Sequence, residues 1–108
     1  MADYRETFDS RDPGLMSGLY QENGIVIWGD RIWRGRGEIQ DFYQEMFERI
    51  FPPDMQFERN IGMVIEGGIA YVVWSGASPL QEVSLGVDTF VVQGGAIQCL
   101  TLYMEGDV

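Results

Sequence analysis

The stretch from Ser84 to Val92, SLGVDTFVV, sets a carboxylate in the middle of an apolar β-strand pattern. Strand alternation puts Ser84, Gly86, Asp88, Phe90 and Val92 on one face and Leu85, Val87, Thr89 and Val91 on the other. Both faces are largely apolar, whereas an antiparallel strand in a small monomer ordinarily keeps one face in water. One face is therefore expected to meet helices of its own chain. The other is expected to meet a second copy, giving a homodimer through the outer face of the sheet. On the helix side Asp88 sits among Phe90, Val92 and helix aromatics, where desolvation raises a carboxyl pKa. A protonated aspartic acid is a hydrogen-bond donor suited to a carbonyl oxygen or an enolate. Two structural alternatives stand beside this: an ion pair with Arg59, or a backbone cap at a bulge next to Gly86. Structural ion pairs perturb pKa values as active sites do.

Outward from that strand, 108 residues make one domain, 1–108, with a single core. No apolar run approaches the ~18–20 residues of a membrane span, and the N-terminus lacks the basic and apolar segments of a signal peptide. A soluble, cytoplasmic protein is expected. Seventeen acidic residues against seven basic ones give a net charge of −10, which disfavours nucleic acid and anionic membrane as partners. The chain has no histidine and no lysine, and Cys99 is its one cysteine. Histidine-based triads, histidine metal sites, side-chain Schiff bases and an internal disulfide are thereby excluded. Any acid or base must come from Asp, Glu, Tyr or Cys99. No metal or cofactor is expected, and nothing near Cys99 in sequence would lower its pKa to make it a nucleophile.

The order of elements follows from periodicity. ADYRETF reads as a short helix with Tyr4 and Phe8 on one side, and Asp12-Pro13 as the cap and first position of a second. Leu15, Met16, Leu19 and Tyr20 read as its apolar stripe, Asn23-Gly24 as its break, and IVIW as a strand. GEIQDFYQEMFERIF is the clearest helix, with Ile39, Phe42, Tyr43, Met46 and Ile50 at helical spacing and Pro52-Pro53 as its stop. MQFERNIGMVIE, IAYVVWSGA, EVSLGVDTFVV and IQCLTLYM then read as an antiparallel meander. The expected class is α+β, helices covering one face of a curved sheet.

In this order the segments LYQENGIVIWGD, GRGEIQDFY and VDTFVVQGGAIQCLTLYM resemble the NTF2-like superfamily. Within it they resemble the SnoaL-like and ketosteroid-isomerase-like group, over Tyr4 to Met104. The resemblance implies a cone: a curved, mostly antiparallel sheet wrapped around helices, with a pocket inside. In ketosteroid isomerases a first-helix tyrosine and a neutral late-strand aspartic acid form an oxyanion hole, an example general treatments of pKa tuning already use. By resemblance Tyr4 and Asp88 take those two positions, and Tyr20 and Tyr43 those of supporting tyrosines. The isomerases' general base falls on Trp28, an indole that cannot abstract a proton and whose bulk would fill part of the cavity. Asp30, two residues on, keeps strand parity and is the candidate displaced base, with an exposed turn residue as its alternative reading. Relatives usually carry a longer first helix. Cyclases of the group commonly use a histidine absent here, and epoxide-hydrolase-like members an Asp–Arg–Asp relay that FERNIG does not supply.

The remaining candidates are pocket lining. Met46, Met55, Met63 and Met104 could form an adaptable wall, or be ordinary core. By resemblance Leu100, Leu102 and Met104 face the cone together with Phe90, and Cys99, Thr101 and Tyr103 face the dimer. Trp33 and Trp74 are ambiguous, and WRGRG reads as a helix start rather than an anion site. The reading that results is a cone pocket for a small hydrophobic, carbonyl-bearing molecule. Its alternative is a cofactor-free acid/base enzyme, isomerase- or cyclase-like, using Asp88 and Tyr4 as an oxyanion hole.

Overall fold

The computed structural model describes residues 2–53, 55–79 and 81–107, with the side chains of 2, 3, 58–63 and 107 left aside. Two short helices, α1 (Ala2–Ser10) and α2 (Pro13–Ser17), precede the hairpin of β1 (Tyr20–Trp28) and β2 (Arg31–Arg34). The long helix α3 (Gly35–Arg49) follows, then β3 (Gln56–Glu66), β4 (Ile69–Ala77), β5 (Glu82–Gln93) and β6 (Ala96–Asp107). The six strands form one curved, open sheet in the order β2-β1-β6-β5-β4-β3. Every neighbouring pair is antiparallel except β1 with β6. The parallel pair is what lets the N-terminal hairpin join the C-terminal strand and bring α3 across the sheet. The class is α+β, as expected.

Local chemistry explains the helices. Asp12 accepts the Leu15 backbone N–H at 3.1 Å and Pro13 occupies the first turn, so α2 starts where a capped proline start predicts. At α3 the Glu38 carboxylate reaches back to the Arg34 N–H at 3.0 Å, satisfying a donor the helix leaves free. Ile39, Phe42, Tyr43 and Met46 are all buried on one stripe, and they join β1, β4, β5 and β6 residues in the core. Leu15 departs from the expected stripe of α2 and is exposed, because the helix ends at Ser17 and the chain turns into β1.

Two turns differ from the expectation. Asn23-Gly24 is not where the second helix gives way to the strand: α2 ends at Ser17 and β1 runs through Asn23-Gly24, with a register shift between Tyr20 and Ile25 against β6. Gly24 fits closely there, since a Cβ would lie 3.0 Å from the Gln21 carbonyl oxygen and 3.2 Å from Tyr20 Cβ. The short strand β2 is an addition to the expected order. Gly29, at φ 64°, and Asp30 turn the chain so that Ile27 pairs with Ile32.

A third irregularity touches the opening stretch. Between Val83 and Leu85 the register of β5 shifts against β6, so Val83 turns inward and Ser84 outward. Ser84 therefore leaves the face it was expected to share with Asp88 and donates to the Glu105 carbonyl oxygen. From Gly86 onward the expected parity holds: Gly86 and Phe90 are buried, while Tyr103, paired with Val87, is exposed.

Candidate functional site

Three layers enclose a cavity of about 190 Å³ between the helices and the inner face of the sheet. Helix α1 contributes Tyr4, Arg5 and Phe8, α3 contributes Phe42, Tyr43 and Met46, and Phe51 follows from the loop after it. From the sheet come Phe57 and Ile65 on β3, Ala70, Val72 and Trp74 on β4, Asp88 on β5, and Leu100 and Leu102 on β6. Apolar walls dominate. Asp88 is the one carboxyl among the described lining residues.

Sheet register places Asp88 in a row that explains its chemistry. Val72 lies opposite it on β4 and Leu102 on β6, so aliphatic side chains flank the carboxyl on both sides. Burial pushes Asp88 up to about 7, and the nearby Trp74 indole N–H offsets part of that rise. Neither Trp74 Nε1 nor Asp88 Oδ1 completes a hydrogen bond with a described residue. The expected alternative partner, Arg59, has its side chain outside the described residues.

A chain of three phenols abuts the cavity. Tyr20 and Tyr43 hydroxyl oxygens are 2.6 Å apart, and those of Tyr43 and Tyr4 are 2.9 Å apart. Tyr20 is fully buried and Tyr43 is its one hydroxyl partner, so donation from Tyr20 to Tyr43 to Tyr4 leaves no buried proton stranded. That direction frees the Tyr4 proton for the cavity. Burial raises all three phenols above their ordinary range; the Asp88 carboxylate adds to the rise at Tyr4, while the Tyr43 bond opposes it. The three stay neutral donors at any physiological pH. Tyr4 is held by ring contacts too, edge-on to Phe90 at 4.8 Å and stacked with Phe8 at 6.1 Å.

Of the residues singled out from sequence, Tyr4, Tyr43, Met46, Asp88, Leu100 and Leu102 line the cavity together. Tyr20 and Phe90 stand one layer behind it, touching Tyr43 and Tyr4. Trp28 does not fill the cavity as expected. It pairs with Leu102, which pairs in turn with Asp88, so a whole strand separates the indole from the carboxyl. Two strand spacings amount to roughly 10 Å. Asp30 lies exposed in the β1–β2 turn and is not part of the wall. Met104 packs half-buried against the core next to Gly86, also outside the wall.

Sequence reasoning missed Trp74 and Arg5. Trp74 is 6% exposed and lies opposite Gly86 in the β4–β5 register. A Cβ on Gly86 would sit 2.1 Å from Trp74 Cε2, so the glycine is the space into which the indole lies. Glycine inside a strand marks such a close approach, and Gly86 was the available signal. Arg5 stands at the rim, about half exposed, in a loose pair with Asp9 at 3.7 Å.

An open curved sheet closed by helices around a cavity is the architecture of the NTF2-like proteins. The SnoaL-like domain family matches residues 1–99, and the chain belongs to that family. Among solved structures it is similar to the epoxide hydrolase/cyclase-like enzyme SalBIII, which has a role in pyran ring formation in the polyether salinomycin. That match has TM-score 0.76 and 14% identity, covering 99% of this chain and 92% of the other. A Kribbella flavida protein provisionally classed as a ketosteroid isomerase matches at TM-score 0.74 and 20% identity, over 94% of this chain and 72% of that one. An Agrobacterium tumefaciens protein provisionally classed as an isomerase of the SnoaL-like family matches at TM-score 0.71 and 16% identity, over 97% of both chains. No curated protein matches the sequence significantly. At these identities the structural likeness shows the fold. No helix among the described residues is long and apolar enough to cross a membrane.

Proposed function

We propose that the cavity binds a small, mostly apolar carbonyl compound whose oxygen accepts hydrogen bonds from neutral Asp88 and from Tyr4. The observation that carries this is the Asp88 carboxyl on the wall of a mostly apolar cavity, raised to about 7 by burial. Size sets the ligand class: an apolar cavity of about 150 Å³ holds benzene, so about 190 Å³ suits one substituted ring. No cofactor is needed for such binding.

The enzymatic alternative is acid/base chemistry on the same carbonyl compound. It is favoured by one observation, a carboxyl that gives and takes a proton near pH 7. It would rest on Asp88 alone, since Asp30 is exposed in a turn outside the wall. The outer face supports a second copy of the chain as partner, because Ile69, Tyr71 and Tyr103 are large, exposed and apolar there.

Calorimetric titration of cyclohexenone, with cyclohexene as the oxygen-free control, tests the binding. The wild type is expected to prefer the ketone, and to lose that preference in Asp88→Leu and as pH rises through about 7. Equal affinity for ketone and alkene in the wild type refutes the reading. Exchange of the ketone α-protons for deuterium, followed by NMR, decides between binding and catalysis.

A further inference from the structure

The cavity reaches the surface between α1 and β3. Of its described wall residues, Arg5 and Ile65 are the exposed ones, and they stand one on each of those elements. A polar groove begins at the same place. It is lined by Arg5, Asp9, Arg11 and Gln56 among others, and it shares Arg5 and Phe57 with the cavity. On a chain of net charge −10, two of the seven arginines and one carboxylate line this groove among the described residues. Arg11 is already committed, its guanidinium donating to the Phe8 and Pro52 carbonyls. Arg5 is not. Its Nε lies 3.7 Å from Asp9 Oδ2, too far for a hydrogen bond, and both side chains are more than half exposed.

We propose that Arg5 anchors a carboxylate, and that the ligand of this site is a ring compound carrying a short acidic arm. The ring occupies the apolar cavity, and the arm passes between Arg5 and Ile65 into the groove. Inside the cavity a carboxylate would lose its hydration without repayment. At the rim it keeps water on one side while a guanidinium offers it two parallel N–H donors, the geometry that matches its two oxygens. Ile65 gives the methylenes of the arm an apolar lip. The acidic surface elsewhere repels an anion, so the two arginines of the groove make this mouth the place where one is tolerated. This inference rests on the binding reading above for the ring in the cavity, and it adds the charged group that reading leaves unspecified.

The test compares 3-phenylpropanoate with 3-phenylpropanamide, which has the same shape and no charge. Both are titrated calorimetrically into wild type, Arg5→Gln and Arg34→Gln at about pH 6, where the acid is ionised. Arg34 is on β2, at the opposite edge of the sheet from β3, so its replacement makes the same change in net charge away from the mouth. The wild type should bind the acid more tightly than the amide. Arg5→Gln should lose about 3- to 10-fold in affinity for the acid alone, and Arg34→Gln should keep the preference. Raising salt from about 0.05 to about 0.5 M should shrink the advantage of the acid. Asp9→Asn, which removes the competing carboxylate, should strengthen acid binding. A wild type without preference for the acid overturns the proposal. Equal losses for acid and amide in Arg5→Gln would assign Arg5 to helix packing, and an equal loss in Arg34→Gln would assign the effect to net charge; either overturns it too. The cyclohexenone comparison separates this inference from the binding reading. Acid preference through Arg5 without preference for the ketone sinks the ketone and leaves the anchor, and the reverse outcome sinks the anchor alone.

Discussion

Replacing Asp88 by asparagine keeps the shape of the side chain and abolishes its titration, which turns the buried carboxyl into a measurable slope. An unfolded aspartate ionises near 3.8, whereas Asp88 in the fold holds its proton to about 7. Below about pH 4 both states carry the proton, and the group adds nothing to the pH dependence. Between about 4 and 7 the folded state binds one proton more than the unfolded state. Stability therefore falls as pH rises, by at most ~1.4 kcal/mol per pH unit. Above about pH 7 both states are ionised and the whole penalty remains. Accumulated over that interval, the penalty has a ceiling on the order of 4 kcal/mol, and relaxation or water entry reduces it. Asp88→Asn never ionises, so its stability relative to wild type should climb by as much as that between about pH 4 and pH 8. Urea unfolding of both proteins at matched pH values measures the difference, in which the remaining carboxylates cancel to first order. A difference that stays flat across that range refutes the buried, raised carboxyl.

Three further outcomes follow from the geometry. Gly86→Ala drives a methyl into Trp74, so urea unfolding should show a loss of about 1–3 kcal/mol, with a changed near-ultraviolet tryptophan signal. Tyr43→Phe removes the middle hydroxyl of the phenol chain and strands its two neighbours. It should cost about 1–3 kcal/mol by the same assay, and more than Tyr20→Phe, which breaks a single bond. Sedimentation at micromolar concentration should find a dimer, and Tyr103→Glu together with Tyr71→Glu should shift it to monomer if the outer face is the contact.

Parity made the strand of Asp88 legible from Gly86 to Val92, because alternation needs no knowledge of neighbours. The helices were legible where their signals are local: Asp12-Pro13 at one start, Pro52-Pro53 at one stop. What was lost depends on pairing. The bulge at Asn23-Gly24 shows in the pairing with β6, and the one at Val83–Leu85 in the pairing with both β6 and β4. Each changes which side chain faces inward without leaving a mark on its own segment. Trp74 was ambiguous for the same reason: its place opposite Gly86 is a fact of register between β4 and β5. Trp28 shows the complementary error. Resemblance puts it at the position of a base, but Leu102 standing between it and Asp88 belongs to another strand. Phe8, Phe51 and Phe57 make a ring cluster from three separate segments, and no periodicity links them.

Helix α1 has nine residues, and three of them, Tyr4, Arg5 and Phe8, are cavity wall. A helix of that length does not hold itself together in water, so its order is borrowed from the aromatic cluster beneath it. Anything that occupies the cavity becomes one more face for that helix to lean on. Affinity and helix order are then a single equilibrium: a ligand's binding constant contains the work of seating that helix. Arg11 ties the end of that helix to the loop after α3, its guanidinium donating to the Phe8 and Pro52 carbonyls while lying over the rings of Phe8 and Phe47. Loosening it would weaken every ligand alike, whatever its oxygen does, and so would expose how much of the affinity belongs to the roof rather than to the donors.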